Sequence, residues 1–578
     1  MLDVIPPDPP ALEPGRCHLL AQRLGLPQAL VAVLWRRGLQ DEAEISAFLY
    51  PNLQELPDPD LMRGMREAST ITAAAVEEGR PIVIYADYDA DGVTAGALLY
   101  LFLRRLGHRN LHYLLPHRIT DGYGVHAHLL AAMAQKLATE EGGNPLLITV
   151  DCGISDHQAV TAAKELGYTV IITDHHRPPA TLPPAAAILN PHQAGCPFPY
   201  KDLAGVGVAF YLLMGLRRRL VQKGRPAEKL PNLKEYLDLV ALGTIADMVS
   251  VRGINRILVK AGLTILATGG RPGLAALRAV AGIGGQLLST TDISFQLAPR
   301  INAAGRIATP ETAFRLLISQ SPAEAADLAA DLEEMNRRRR ELSERITAEV
   351  KEKITKDQAD TANILIYSSA EWHPGVLGIA ATRLSREYQR PAILFSLEDG
   401  VARGSGRSVA DLDLLAAVTS CQEWLTGYGG HAAALGLSLD QGQLAAFSRQ
   451  LDQEIGRKMA EIPPSPPTEP DWFFPDGRLD PRLLEIYPLL EPFGPGNPEP
   501  LFGVQGKLEQ PGIVGGNHLR FRWRQPGLTC SGIAFGHGAD LLPLSHQTME
   551  LTFAFQRNNY HGHANWQMRI LGITPAGV

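Results

Sequence analysis

The sequence predicts a mostly parallel α/β domain, joined by one long helix to a second α/β domain and followed by a small C-terminal β-barrel. Three observations predict it. Between residues 81 and 190, the short aliphatic runs "PIVIYADYD", "PLLITVDCG", "YTVIITDHH" and "AAAILNP" alternate with helical stretches such as "GVTAGALLYLFLRRLG" and "DHQAVTAAKELG". Strands alternating with helices indicate a parallel sheet. Residues 323–356 place Leu328, Leu332, Met335, Leu342, Ile346, Val350 and Ile354 at spacings of three, four and seven, with no Pro or Gly between them. That is the period of a single amphipathic helix. From about residue 500, "LFGVQGKLEQPG", "HLRFRWRQPG" and "ELTFAFQRNNYHGHANWQMRILGI" are short alternating segments broken by Gly and Asn, as in a small antiparallel barrel.

In chain order, residues 1–74 read as a helical cap with Pro-rich ends and 75–322 as the first α/β domain. Residues 323–356 form a rigid connector whose Arg337 to Arg340 run reads as a solvated face, with DNA contact as its alternative. "NILIYSS" and "PAILFSL" are strands of a second α/β domain over 357–462. "EIPPSPPTEPDW" is a Pro-rich linker, and 463–578 hold it and the barrel. A chain of 578 residues exceeds one hydrophobic core, which fits several domains. No apolar run reaches the roughly 18 residues that span a bilayer, and the N-terminus carries no signal pattern. Cys17, Cys152, Cys196, Cys421 and Cys530 are scattered without a CxxC pair. Reduced thiols in a cytoplasm, and no membrane association, are expected. The net charge of −7 argues against a uniformly basic nucleic-acid binder but leaves room for a local basic groove.

The chemistry is concentrated where strands end. "PIVIY" leads into Asp87, Asp89 and Asp91, "LLITV" into Asp151, and "VIIT" into Asp174, His175 and His176. Asp247, in "ALGTIADMV", follows an apolar helical stretch and can reach the same rim. Ligands of open α/β sheets bind outside the carboxyl ends of the strands. A single Asp after a strand is ordinarily a turn former or helix cap; three alternating acids, a fourth acid and Asp-His-His at successive strand ends are not. Carboxylates mixed with imidazole and no thiolate suit two Mn²⁺ or Mg²⁺ ions better than a structural zinc site. A cation pair about 3.5–4 Å apart would offset the crowded charge and activate water for in-line displacement at phosphorus. Without cations, acids this close would take up protons.

"DYDADG", "VDCG", "TDHH" and "GTIADMV" resemble the four motifs of the DHH phosphoesterases. "LPHRITDGYG", "LAGVGVAF", "APRINAAGR", "EWHPGVLGIAATRL", "GSGRS", "GYGGHAAALG" and "EPFGPGNPEP" resemble one branch of them, the RecJ single-strand-specific exonucleases, over roughly residues 75 to 575. The resemblance implies a DHH domain, a connecting helix, a DHH-associated domain and a C-terminal OB-fold. It implies 5′-to-3′ degradation of single-stranded DNA to 5′-mononucleotides, in repair and recombination, with two Mn²⁺ or Mg²⁺ ions. Carried over by motif, Asp87 and Asp89 hold one ion with Asp151 bridging, and Asp91, His175 and Asp247 hold the other, again with Asp151. His176 is placed at the scissile phosphate or the leaving oxygen, and Asp174 orients a histidine. Single-stranded DNA is the expected partner of a monomer, alongside a helicase and a single-strand-binding protein.

Substrate contacts are expected from Arg403, Ser405, Gly406 and Arg407 in "ARGSGRS", where Gly admits a phosphate and Arg offers a fork. "GYGGHAAALG" adds Gly430 and His431 before an expected helix start. Arg118, Arg300, Asn302 and Arg306 complete the set, each with a surface ion pair as its alternative. His373 resembles a family position without a role; His192 and Cys196 are too few ligands for a metal and read as a loop. In "HLRFRWR", Leu519, Phe521 and Trp523 share one strand face, while His518, Arg520, Arg522 and Arg524 share the other. The basic face can track a single strand or be solvated charge. Tyr560 and Trp566 are candidates for stacking on bases. The rival readings are a phosphoesterase for short nucleotides, which the barrel disfavours, and a scaffold without catalysis, which the complete set of acids disfavours.

Overall fold

The aliphatic runs become five short parallel strands: β1 Ile82–Ala86, β2 Leu111–Leu114, β3 Leu146–Val150, β4 Thr169–Thr173 and β5 Ala187–Leu189, in the order β2-β1-β3-β4-β5. The computed structural model describes residues 11–138, 143–284, 288–357, 362–409, 411–462, 469–474, 476–525, 528–536, 538–560 and 563–576, and of 558–560 and 563–565 the backbone alone. Every residue of β1 and β3 is buried because both faces are covered. Ile82, Ile84 and Ala86 pack with the helices Ala90–Arg105, Gly205–Gln222 and Leu237–Ala246. Val83 and Tyr85 pack with Ala127–Leu137 and His157–Glu165 on the opposite face. The half-buried β2, "LHYL", lies at the edge, and its mixed composition carries no strand signal.

The helix Pro322–Asp357 has 36 residues and therefore spans about 54 Å. Leu328 and Leu332 sit in the first core, whereas Ile346, Val350 and Ile354 pack with Leu365, Leu377 and Leu384 of the second domain. One apolar stripe thus fixes two domains to one rod. The second sheet contains β6 Leu365–Ser369, β7 Ala392–Glu398, β8 Val401–Arg407, β9 Gly427–His431 and β10 Ala434–Asp440, ordered β6-β7-β8-β10-β9. Only β6–β7 is parallel. Two expectations fail here. "GSGRS" is strand, not a Gly-rich loop, and "GYGGH" begins a hairpin with β10 rather than a helix.

The C-terminal sheet has seven strands: β11 Trp472–Phe474, β12 Phe502–Lys507, β13 Glu509–Val514, β14 His518–Gln525, β15 Leu528–Ala534, β16 Thr548–Tyr560 and β17 His563–Pro575. The pairs β11–β12 and β15–β17 are parallel, so the ladder is not uniformly antiparallel. The helices Pro14–Leu24, Gln28–Arg36 and Glu42–Leu49 share its core, with Leu30, Leu34 and Trp35 in one cluster with Phe502 and Phe553. The next helix, Met65–Glu78, belongs to the first domain's core, so the expected boundary at 74 falls inside it. "EPFGPGNPEP" is held by the first domain and the cap. Arg37 of the cap donates to the Pro498 carbonyl (2.6 Å) and the Val251 N–H of the first domain to that of Pro495 (2.8 Å), while Arg256 donates to the carbonyls of Phe48 and Leu489 (both 2.7 Å), the latter just ahead of the segment. Among the described residues, no single helix is long and apolar enough to cross a membrane.

Candidate metal centre

In the order β2-β1-β3-β4-β5, the chain direction across the sheet reverses between β1 and β3, and such a switch point opens a crevice at the carboxyl ends. Asp87 follows β1 and Asp151 follows β3, so both flank it. Sheet hydrogen bonding continues past the strand ends. The Asp87 N–H donates to the Val150 carbonyl (3.3 Å), that of Asp151 to Thr173 (2.9 Å), and that of Asp174 to Leu189 (3.0 Å). The acids are therefore set side by side.

Asp89 caps the helix Ala90–Arg105, accepting from the N–H groups of Asp91 (2.9 Å) and Gly92 (3.1 Å). Asp91 accepts from the N–H groups of Gly205 (2.6 Å) and Val206 (2.9 Å), at the start of the helix Gly205–Gln222. Asp151 has φ +62°, a strained backbone for a residue other than Gly. Gly205 accommodates it, since a Cβ there would lie 2.6 Å from the Asp151 Cβ. Three groups of ligand atoms result, each within 4.8 Å internally: Asp87, Asp89 and Asp151; Asp91, His175 and Asp247; and Asp151, His175 and His176. His175 Nε2 lies 3.1 Å from Asp151 Oδ1 and 3.6 Å from Asp247 Oδ2.

Burial first, and then neighbouring carboxylates, push Asp87, Asp91 and Asp151 well above the ordinary carboxyl range and Asp247 to about 7. Burial, then the charge of His176, lowers His175 to about 4. Asp87 Oδ1, Asp151 Oδ1, Asp247 Oδ2 and His175 Nε2 are buried and have no hydrogen-bond partner among the described residues. Buried polar atoms left this way are costly, and four converging on one place form a donor set that fits divalent cations.

Asp174 is fully buried and accepts from the N–H groups of Ile154 (3.0 Å), His175 (2.7 Å) and His176 (3.0 Å), and from His176 Nδ1 (2.8 Å). Burial opposes its charge, but His176 holds it below the ordinary carboxyl range. His176 is lowered by burial yet raised more by Asp174, reaching about 9. The Tyr123 hydroxyl, 3.1 Å from His176 Nδ1 and 3.3 Å from the Asp151 carbonyl, was not singled out from sequence. Its signal was an aromatic residue between the glycines of "DGYG". Gly205 was also missed as an individual residue, although "LAGVGVAF" was noted.

Three predicted cations border the acids. Arg118 stacks on the Tyr88 ring at 4.9 Å and acts on Asp87. Arg306 donates to the Gly375 carbonyl (3.3 Å). It is lowered to about 9 by burial, then by Arg118, Arg407 and Arg339. Arg407 donates to the Ser405 hydroxyl (3.2 Å) and the Gly406 carbonyl (2.7 Å). Arg407 and His431 both pair with Ala434, so they lie in one cross-strand row on one face. Arg403 is exposed on the Arg407 side of β8. Arg339, half-buried on the connector, is a further cation the sequence reading assigned to a solvated face.

Other expectations are corrected. Arg300 is buried against Glu333 of the connector and donates to the Gln296 carbonyl (2.6 Å), so it ties two helices together. Asn302 accepts from the Ala90 N–H (2.8 Å) and pins the acidic loop instead of contacting substrate through that oxygen. Gly406 and Gly430 pair with Leu435 in the row facing the core, and Gly404 leaves room for the Phe395 ring, 2.5 Å from where its Cβ would stand. Gly404 and Gly406 serve packing, whereas Gly430 is exposed on β9. His373 Nδ1 accepts from the Gly375 N–H (3.1 Å) as a helix cap. His192 and Cys196 lie in a loop, where Cys196 Sγ accepts from the Arg63 N–H (3.4 Å). Leu519, Phe521 and Trp523 are core, and Arg520, Arg522 and Arg524 are exposed. Trp566 is half-buried and packs edge-on against Tyr487 (5.3 Å) at the margin of the C-terminal core. The Tyr560 side chain lies outside the described residues.

Comparison with known proteins agrees with this geometry. A model of the N-terminal domain of the DHH family matches residues 81–244, one of the DHHA1 domain 361–457, and one of the RecJ OB domain 471–572. The single-stranded-DNA-specific exonuclease RecJ of Dickeya dadantii is 37% identical over 565 residues, 95% of this chain and 97% of its own. That of Escherichia coli is 37% identical over 89% of this chain and 91% of its own. A crystal structure of RecJ from Thermus thermophilus in complex with Mn²⁺ superposes with a TM-score of 0.81 at 31% identity, covering 99% of this chain and 79% of the other. The Mg²⁺ complex gives 0.75 at 30%, covering 99% and 78%. With similarity of this extent across all three domains, the chain belongs to the RecJ family of DHH phosphoesterases.

Proposed function

We propose that the protein is a single-stranded-DNA-specific exonuclease that runs 5′ to 3′ and releases 5′-mononucleotides by two-metal hydrolysis, in DNA repair and recombination. The observation that carries this is the convergence of Asp87, Asp151, Asp247 and His175, each with a buried atom that has no hydrogen-bond partner among the described residues, in a chain related to exonucleases so named. Asp87, Asp89 and Asp151 would hold one cation, and Asp91, His175 and Asp247, with Asp151, the other. Two such cations supply positive charge to a phosphoryl group and acidify water at neutral pH.

The chain's own residues do the rest. Asp174 fixes the His176 ring through Nδ1, leaving Nε2 to donate to the scissile phosphate or the leaving oxygen. Arg118, Arg306 and Arg407 come from a loop, a helix and the second domain, and they supply forks for phosphate oxygens. His431 extends the Arg407 row, and Arg520 and Arg522 on β14 offer an exposed basic track farther along the strand. On this reading, a cap, a catalytic domain, a connector helix, a substrate-binding domain and an OB-fold divide the work. The five free, buried cysteines support a reducing cytoplasm, where a helicase and a single-strand-binding protein would present the strand to a monomer.

The test is cleavage of 5′- and 3′-labelled single strands, duplex and RNA with Mn²⁺ or EDTA. Single-strand DNA cleavage from the 5′ end, lost in EDTA and absent in Asp151→Ala while strand binding persists, is expected. Cleavage that survives tight chelation, or near-normal turnover by Asp151→Ala, would remove the two-metal reading.

A further inference from the structure

A cavity of about 650 Å³ opens on the first domain, away from the metal centre, and five arginines line it: Arg104, Arg105, Arg109, Arg271 and Arg315. Arg104 and Arg105 end the helix whose first turn carries Asp91, and the rise of about 1.5 Å per residue separates the two places by about 20 Å. Basic residues at a helix C-terminus are explained by its dipole, but Arg109, Arg271 and Arg315 come from other segments and converge on the same space. Arg105 is paired with Glu235, Arg271 with Asp238 (3.0 Å) and Arg315 with Glu324 (3.0 Å). Arg104 and Arg109 have no side-chain partner among the described residues. The wall also carries Tyr100, whose ring is braced edge-on by Tyr113 (6.1 Å) and Phe314 (5.9 Å).

We propose that this cavity is a binding site for a nucleotide, separate from the metal centre, with Arg104 and Arg109 on the phosphate and Tyr100 against the base. Guanidinium forks match phosphate oxygens, an aromatic face accepts any base, and the volume suits a ligand of this size. The site takes no part in hydrolysis, so this inference is independent of the proposed exonuclease activity.

The experiment is calorimetric titration of 5′-dAMP, in EDTA, into full-length protein carrying Arg407→Ala, which removes a phosphate contact of the metal cleft. The same titration is run after adding Arg104→Ala and Arg109→Ala, and deoxyadenosine serves as the phosphate-free ligand. Saturable dAMP binding, weakened about tenfold or more by the two added substitutions and much weaker for deoxyadenosine, is expected. Circular dichroism checks that the fold is unchanged, and strand cleavage by Arg104→Ala/Arg109→Ala should persist. Equal affinity with and without those arginines, equal binding of deoxyadenosine, or binding of an acidic peptide with none of dAMP would overturn the assignment.

Discussion

Gly205→Ala tests the centre without touching a cation ligand. Gly205 begins the helix Gly205–Gln222, its N–H donates to Asp91, and its α-carbon faces Asp151. An added Cβ would lie 2.6 Å from both Cβ and Oδ1 of Asp151 and 2.8 Å from its Cγ, where ordinary contacts begin at 3.4 Å. Asp151 or the helix must retreat by about 0.8 Å, and a misplacement near 1 Å costs on the order of a hundredfold in rate. That corresponds to about 2.7 kcal/mol of transition-state stabilisation. Replacing Gly in a helix recovers up to about 1 kcal/mol of backbone entropy, which partly offsets an overpacking cost of about 1–3 kcal/mol, so folding should survive. The assay is kcat and KM on a 5′-labelled single strand at saturating Mn²⁺, with the thermal midpoint measured on the same preparation. A fall in kcat with little change in KM is expected. Turnover within a few-fold of the parent would refute the claim that Gly205 sets the position of Asp151.

The remaining predictions concern protons, salt and the acidic loop. In the cation-free protein, Asp247 is raised to about 7 from 3.8, and Asp87, Asp91 and Asp151 are raised too. Carboxyls raised on folding contribute stability below their unfolded pKa that is lost as pH rises through the folded value. Between about pH 4 and pH 7 the midpoint of EDTA-treated protein should fall, and Mn²⁺ should restore it most at the upper end. His175, lowered from 6.5 to about 4, acts in the opposite sense as one group against four; a midpoint rising steadily over that window would contradict the prediction. If Arg118, Arg306 and Arg407 contact three phosphates, the logarithm of strand affinity should fall with the logarithm of salt at a slope of about −2, and a flat response would exclude those contacts. Asn302→Ala removes the hydrogen bond to the Ala90 N–H and should destabilise the fold by about 1 kcal/mol. It should lower kcat without altering the salt slope, and a changed slope would return Asn302 to the strand-binding residues.

Asp87, Asp151 and Asp174 were legible from sequence because each ends a run of strand residues, and a parallel sheet aligns strand ends regardless of the rest of the chain. The connector was legible because seven apolar residues repeat at helical spacing. The strands β8, β9 and β10 were not, because Gly404, Gly406 and Gly430 carry a turn signal locally, and Gly404 and Gly406 act in the fold as space for Phe395 and Leu435. Nor could local pattern separate Arg300 from Arg306, which lie six residues apart on one helix. Burial against Glu333 makes the first a strut, while neighbouring Arg118 and Arg407 make the second part of a cationic cluster. The placement of Asp87, Asp151 and Asp174 at successive strand ends follows from short-range periodicity, which the chain writes along itself. The partner of each arginine and the use of each glycine depend on contacts between segments distant in sequence, and only packing the domains together decides them.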